Sequence, residues 1–573
     1  MRTLRRHGHA RYLLTVALAA VAALAVFAQP AAAEVPTAGT LPPGLKAPAS
    51  QTKPPPNFWR SARQVVAIAD RQADVRRLHA REPGVRGQAY AGDLGLWIVV
   101  YRDRGGIRVR IPIEDRTGDV LEPSLSSYPL TSGDANAATV KVELMCLALV
   151  IFTIAVLFDF RRPLRRRNLD LLALTSLGAA VALFHHDRPL IGVPLVYPPL
   201  VYLCARLALL GFRGARDEGP LAARGGTRFL VGALVGLLVA RVVANLLLGG
   251  VGDIGYASVY GASNIHEGWP LYVADHNHLD TYGPITYLAY LPFEMIFPLH
   301  NLRHDYLPSA HAAAIAFDLL AIGGLVALGP RLRRGDAGRR LGVVLAFAWA
   351  ASPFTFLTLM ANTNDGLVPL FVIWALVAIA SPVRRAFLLG LGAAAKFAPL
   401  ALAGLFATAN GDRRRRSAAF ALTMAATVVV PILIYSRPGG LGVFWSQTLG
   451  FQFQRHSFLS IWGQYPQLHP LKLAVQAGAV GLAVAASVPV RRRTTAQVGA
   501  LAGAILIALQ LSAAHWYFFY ISWFMPGVLL ALLAVEVRGR GDGSPAQPGE
   551  LEEWAPALRP RAGDRASRPA ELA

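Results

Sequence analysis

From about residue 142 to residue 535, apolar runs of roughly 17–23 residues recur with only short polar breaks, the length that a bilayer core demands of a helix. Hydrocarbon offers no hydrogen-bond partners, so each run must satisfy its own backbone, as a helix does. The patterning predicts an all-α polytopic membrane protein. With 54% of its 573 residues hydrophobic, the chain is not a set of soluble domains, and length alone sets no domain count.

The formal charge of +22 would suit a nucleic-acid binder. The arginine clusters, however, lie in short loops between apolar runs: RRPLRRR (161–167), RLRRGDAGRR (331–340), DRRRR (412–416) and RRR (491–493). That is the positive-inside signature, which argues against nucleic acid and assigns these loops to the cytoplasm. The two cysteines, Cys146 and Cys204, fall inside apolar runs and read as packing residues, with no disulfide framework implied.

Residues 1–33 have a basic start, a short apolar core and Ala31-Ala32-Ala33 before Glu34, the pattern of a secretory signal peptide; an uncleaved anchor is the alternative. Residues 34–57, rich in Pro, Ala, Gly and Thr, read as a linker. Residues 58–135 read as a small exported α+β domain. It has helical periodicity over 58–82, then strand-like GLWIVVYRD (95–103) and GIRVRIPIEDRTGDVLE (106–122) around a Gly105-Gly106 turn. The helix, the paired strands and the EDRTGDVLE ending (114–122) resemble a PepSY-type module over a short stretch. Residues 537–573, rich in Gly, Pro, Arg and Glu, read as a disordered cytoplasmic tail.

Loop charges then fix a topology. Segments near 142–160, 169–185 and 190–212 form an accessory region (142–227), and 228–250 crosses outward, leaving Asp253 outside. Two apolar stretches break the alternation. GPITYLAYLPFEMIFPLH (283–300) carries Pro284, Pro292, Pro298 and Glu294 and is expected to be interfacial or re-entrant. AFLLGLGAAAKFAPLALAGLFATA (386–409) has arginines at both ends, so a hairpin broken at Lys396–Pro399 is expected. Lys396 would then lie roughly 16 Å from Arg385, near the midplane of a ~30 Å core. With these two re-entries the remaining loops alternate correctly around about eleven full crossings.

Polar groups collect on the outer side: Asp253, Asn364 and Asp365 in ANTNDG (361–366), the loop FQFQRHSFLSIWGQYPQL (451–468), and His515-Trp516. Singly, each reads as a turn, a headgroup contact or an interfacial aromatic. The last carbonyls of a helix repel negative charge, so Asp253, just past an apolar run ending at Gly250, is a poor structural cap. A midplane lysine costs roughly 2.5–3.5 kcal/mol on insertion scales and needs a partner. That partner is a phosphate, or an internal group such as Asp318; snorkelling is the third choice.

Asp253 in GDIGYASVYGASNIHEGWPLY, then DTYGPITYLAYLPF, ANTNDGLVPLF and GLGAAAKFAPLAL, resembles the GT-C superfamily of membrane glycosyltransferases over about residues 228–536. Within it the chain is similar to the actinobacterial family-87, α-mannosyltransferase-like proteins. The resemblance implies a catalytic base at Asp253 and a hexose, mannose among the candidates, carried on a polyprenyl phosphate. The acceptor is an extracytoplasmic glycan or glycolipid, and the transfer inverts the anomeric centre. Lys396, Arg455 and His456 are the candidates for holding the donor phosphate. Tyr272, Asp280, Tyr282, Asn364, Asp365, Trp462 and His515 are the candidates for substrate contact. Asp275 competes with Asp280 as the second acidic residue of the superfamily pattern. No His/Cys cluster has metal-ligand spacing, so no metal ligands are assigned. Membrane lipids, the lipid-linked donor and an envelope acceptor are the expected partners, at the plasma membrane. The competing expectation is a transporter or lipid flippase, with Lys396 and Asp318 lining a path for an anion.

Overall fold

The computed structural model describes residues 46–536 except 57, 73–74, 77–78, 80–83, 92–95, 104–105, 116–117, 119, 121–132, 187, 216–217, 274–280, 300–306, 412–413, 451, 453–458 and 489–491. The expected signal peptide and tail, with Asp275, Asp280, Arg455 and His456, lie outside the described residues. The chain divides into two compact units, Met1–Pro129 and Leu130–Ala573.

In the first unit, helix α1 (Ala62–Ala69) packs on an antiparallel sheet of order β1 (Arg86–Ala91), β2 (Leu96–Asp103), β3 (Gly106–Glu114). Strand β1 was not among the elements expected from sequence, and the helix is shorter than its periodicity suggested. Alternate residues Trp97, Val99 and Tyr101 of β2 face the helix residues Ala62, Val65 and Ala69 in one core. The buried Asp115 accepts from the Trp97 indole at 2.8 Å and from the Arg60 amide at 3.0 Å, tying chain entry to the sheet. Lys46 pairs with Ala91, so part of the expected linker is built into this unit.

The second unit is helical: α2 (Gly133–Leu157), α3 (Arg166–His185), α4 (Pro189–Arg213), α5 (Thr227–Leu248), α6 (Asp253–His266), α7 (Pro284–Ile296), α8 (Pro308–Leu332), α9 (Gly335–Ala350), α10 (Pro353–Met360), α11 (Leu367–Val377), α12 (Pro382–Ala395), α13 (Ala403–Thr408), α14 (Arg414–Tyr435), α15 (His469–Ser487), α16 (Thr495–Ser512) and α17 (Ile521–Leu533). Among the described residues, eight helices are long and apolar enough to cross a bilayer, and α9–α10, bent by 59°, makes a ninth. The other two of the eleven expected crossings fall on the shorter apolar segments Asn364–Val377 and Phe518–Leu533. The chain is a polytopic membrane protein by these helices. On α5, Val231, Val235, Val239 and Val243 recur every fourth residue on the exposed side while Leu230, Leu234 and Arg241 face inward. A stripe apolar on its outer face suits lipid rather than water. At the bundle centre α16 is the most buried span, and it meets α17 backbone to backbone: a Cβ on Gly527 would lie 2.6 Å from the Gly503 Cα.

Both helix breaks account for their freed carbonyls, as burial in lipid requires. At the α9–α10 bend, Arg241 Nη1 donates to Ala350 O (3.1 Å), Thr153 Oγ1 to Ala351 O (2.9 Å) and Thr355 Oγ1 to Trp349 O (2.6 Å). After α12, Ala395 O accepts from the Gly283 amide (3.0 Å) and Thr286 Oγ1 (2.9 Å). The expected hairpin is present. Arg385 donates to Ala407 O at 3.3 Å and Asn410 to Ile379 O at 2.9 Å, whereas a straight helix would hold residues 385 and 407 about 33 Å apart. Helix α7, with 13 residues, is about 20 Å long and too short to span, as its prolines predicted.

The arginine-rich loops converge. Arg333 pairs with Glu536 (2.8 Å), Arg340 donates to Ala223 and Gly225 carbonyls, Arg167 to Val535 O, and Arg493 N to Ala409 O. Helix α5 starts beside this end, where Arg340 meets Thr227, and its 22 residues carry the chain about 33 Å to the other.

Candidate functional site

Asp253 is the first residue of α6, not the trailing cap of α5. The expectation of a carboxylate misplaced against helix carbonyls is therefore corrected. Two glycines, Gly249 and Gly250, turn the chain, and a carboxylate in the first turn of α6 is favoured by the dipole. Its Oδ1 accepts from the Ile254 amide at 2.8 Å, and the side chain is exposed.

The ANTNDG turn fixes what lies around Asp253. Asn362, at φ +50°, donates to Gly250 O (2.9 Å) and accepts from Asn245 (2.9 Å), while His311 joins Asn245 at 2.8 Å. That buried network ties the end of α5 to the turn. Two residues on, Asn364 Nδ2 donates to Ser258 Oγ of α6 at 2.9 Å. Next, Asp365 receives the Lys396 ammonium at 2.5 Å and the Trp523 indole N–H at 3.0 Å, both on Oδ1. Lys396 and Asp365 are buried, 8% and 0% exposed, so each charge requires the other. Lys396 therefore has an internal partner, but it is Asp365; Asp318 is held instead by Arg241 at 2.7 and 3.0 Å and by the Trp349 indole.

Three rings wall the ammonium: Tyr282 at 5.2 Å, Trp523 at 5.4 Å and Tyr520 at 6.0 Å from Nζ, within cation–π range. Lys396 and Tyr282 both lie in the field of Asp253. Burial, and then the charge of Asp253, push the Tyr517 hydroxyl up to about 12. His515 stands parallel to Tyr517, ring centres 6.5 Å apart, and 6.4 Å from Tyr520. The structure thus brings together Asp253, Tyr282, Asn364, Asp365, Lys396 and His515.

Tyr272 and Trp462 have other tasks. Tyr272 is fully buried, so it offers no face for stacking; its hydroxyl donates to Tyr282 O at 2.6 Å and positions that residue. Trp462 donates to Leu511 O at 3.0 Å and packs edge-on against Tyr197, which anchors its loop. Gly283 is required by contact: a Cβ there would lie 1.9 Å from Ala394 O, so glycine lets α7 dock on the end of α12 and set Tyr282 against Lys396. Tyr517, Tyr520 and Trp523 were missed from sequence, because WYFFYISW (516–523) is indistinguishable from an interfacial aromatic belt. Among the described residues, no three His, Cys, Asp or Glu side chains form a group suited to a metal.

An exposed carboxylate over a buried, ring-walled cation on a broken membrane helix invites comparison with known families. Residues 281–515 match glycosyltransferase family 87. The match indicates a glycosyltransferase. A search of curated proteins found no match. The family 87 segment holds Tyr282, Asn364, Asp365, Lys396 and His515, and Asp253 precedes it by 28 residues. The PepSY resemblance of the first unit has no support in these comparisons.

Proposed function

We propose that the chain transfers a hexose, mannose being the first candidate, from a polyprenyl-phosphate donor to an extracytoplasmic glycan or glycolipid, with inversion. One observation carries the reading: Asp253 is exposed at the end of α5 opposite the arginine-rich loops, in the field of the buried Lys396. The positive-inside rule makes the arginine end cytoplasmic, so the carboxylate faces out, where a lipid must present the sugar.

In the proposed step the acceptor hydroxyl oxygen attacks the anomeric carbon. Its proton passes to the Asp253 carboxylate, and the bond from that carbon to the phosphate oxygen breaks with its electron pair. The lipid phosphate leaves, with Arg455 and His456 as the candidates to meet its charge, since the Lys396 ammonium is already closed into its pair with Asp365. The aromatic faces of Tyr282 and Tyr520 suit the sugar ring, and His515 borders Tyr520.

An anion path through Lys396 and Asp318 has less support, because each is closed into its own ion pair. The test is purified protein in nanodiscs with a panel of polyprenyl-phosphate hexoses, reading release of polyprenyl phosphate. Release without an acceptor-linked sugar, or no release from any donor, would overturn the assignment.

A further inference from the structure

Three glycines, Gly249, Gly250 and Gly252, stand between the end of α5 and Asp253. Glycine leaves the backbone loosely determined, so this segment by itself does not fix where the carboxylate stands. The 361–366 turn holds it from outside. The Gly250 amide donates to Met360 O at 3.0 Å and the Gly252 amide to Ala361 O at 3.4 Å. Asn362 Nδ2 donates to Gly250 O at 2.9 Å, and a Cβ on Gly255 would lie 2.4 Å from Asn362 O. Asn362 therefore touches the chain on both sides of Asp253. It does so at φ +50°, a conformation that asparagine adopts more readily than most residues.

Behind Asn362 runs a chain of donors with one direction. Asn245 Nδ2 donates to Asn362 Oδ1 at 2.9 Å and to Leu359 O at 2.8 Å. Its Oδ1 therefore faces His311 Nδ1, at 2.8 Å, which assigns the imidazole proton to that nitrogen. Asn362 Nδ2 also lies against the same ring, 3.3 Å from Nδ1 and 3.4 Å from Nε2. His311, Asn245 and Asn362 are 1%, 0% and 0% exposed, so they act through what they hold.

We propose that Asn362, oriented by Asn245 and His311, is a positioning residue for Asp253, setting the carboxylate within reach of the acceptor hydroxyl. The inference rests on the reading of Asp253 as the base. A general base works only within hydrogen-bond reach of the proton it takes, and a displacement of about 1 Å can cost about 10²-fold in rate.

The test compares wild type, Asp253→Asn, Asn362→Gly, His311→Ala and His311→Asn in nanodiscs, reading polyprenyl-phosphate release from the active donor. Glycine keeps the positive φ while deleting the amide, so Asn362→Gly spares the turn and removes its bonds. In His311→Asn the new amide N–H stands where the Nδ1–H stood. Asn362→Gly and His311→Ala are each expected to lose about tenfold or more in kcat, with donor KM within about twofold. His311→Asn should regain most of that loss. Adding Asn362→Gly to Asp253→Asn should slow it by less than about twofold, since the two act as a unit. A raised KM with kcat kept, no rescue by His311→Asn, or a full further loss in the Asp253→Asn background would make the network merely structural and overturn the proposal. If Asn362→Gly fails to fold, the two His311 variants decide. Asp253→Asn as fast as wild type, or a wild type that releases nothing, would remove the base reading and the positioning with it. An inactive Asp253→Asn beside a fast Asn362→Gly would remove the positioning alone.

Discussion

Lys396 Nζ and Asp365 Oδ1 stand 2.5 Å apart, joining the break in α12–α13 to the turn before α11. Neither charge is tolerable alone at that depth. Together they fix the hairpin tip against the turn that also holds Ser258 and the end of α5.

Breaking one side of this pair strands a buried charge. Lys396→Met or Asp365→Asn should each lower unfolding stability in detergent by about 3–5 kcal/mol, and the double variant by less than either single. Additive losses in a double-mutant cycle would show that the two groups do not depend on each other.

Asp253→Asn separates chemistry from scaffold. Losing a first-turn carboxylate costs only about 0.3–1 kcal/mol of helix stability. Losing a general base should slow sugar transfer by about 10²–10⁴-fold. A variant as fast as wild type in lipid-phosphate release removes Asp253 from the mechanism.

Gly283→Ala places a methyl against Ala394 O and should displace α7 from α12, costing about 1–3 kcal/mol and carrying Tyr282 away from Lys396. Gly323→Ala in α8, with open space around its Cβ, serves as the control and should be neutral or stabilising. Equal effects in thermal unfolding and transfer assays would contradict the close docking.

The hairpin places both its flanks on one face of the membrane. With Cys146 and Cys204 replaced, single cysteines at Arg384 and Arg414, both exposed, should label from the same side with an impermeant maleimide. Labelling from opposite sides would require a straight span through residues 386–409.

Much of this was readable because lipid punishes local errors. Arginines at both ends of 386–409, with Lys396 and Pro399 between, leave a broken hairpin as the workable path, and Pro284 and Pro298 bound the short α7, with Pro292 accommodated inside it. Asp253 was harder. Gly249 and Gly250 permit either a loop or a fresh helix, and only packing of α6 against α7 and the 361–366 turn chose the helix.

The sequence by itself determined that this chain spans a membrane, that the 386–409 segment breaks near Lys396, and that Lys396 needs a partner, since hydropathy and charge act locally and are written residue by residue; the α9–α10 bend was not legible in it. Tertiary structure decided which carboxylate answers it. Asp365 is fully buried and Asp318, inside the apolar α8, is partly so, and only the packing of α5 against α8 gives Arg241 to one and leaves Lys396 to the other. The same packing gathers Tyr282, Tyr520 and Trp523 from distant segments, a proximity that no local pattern encodes.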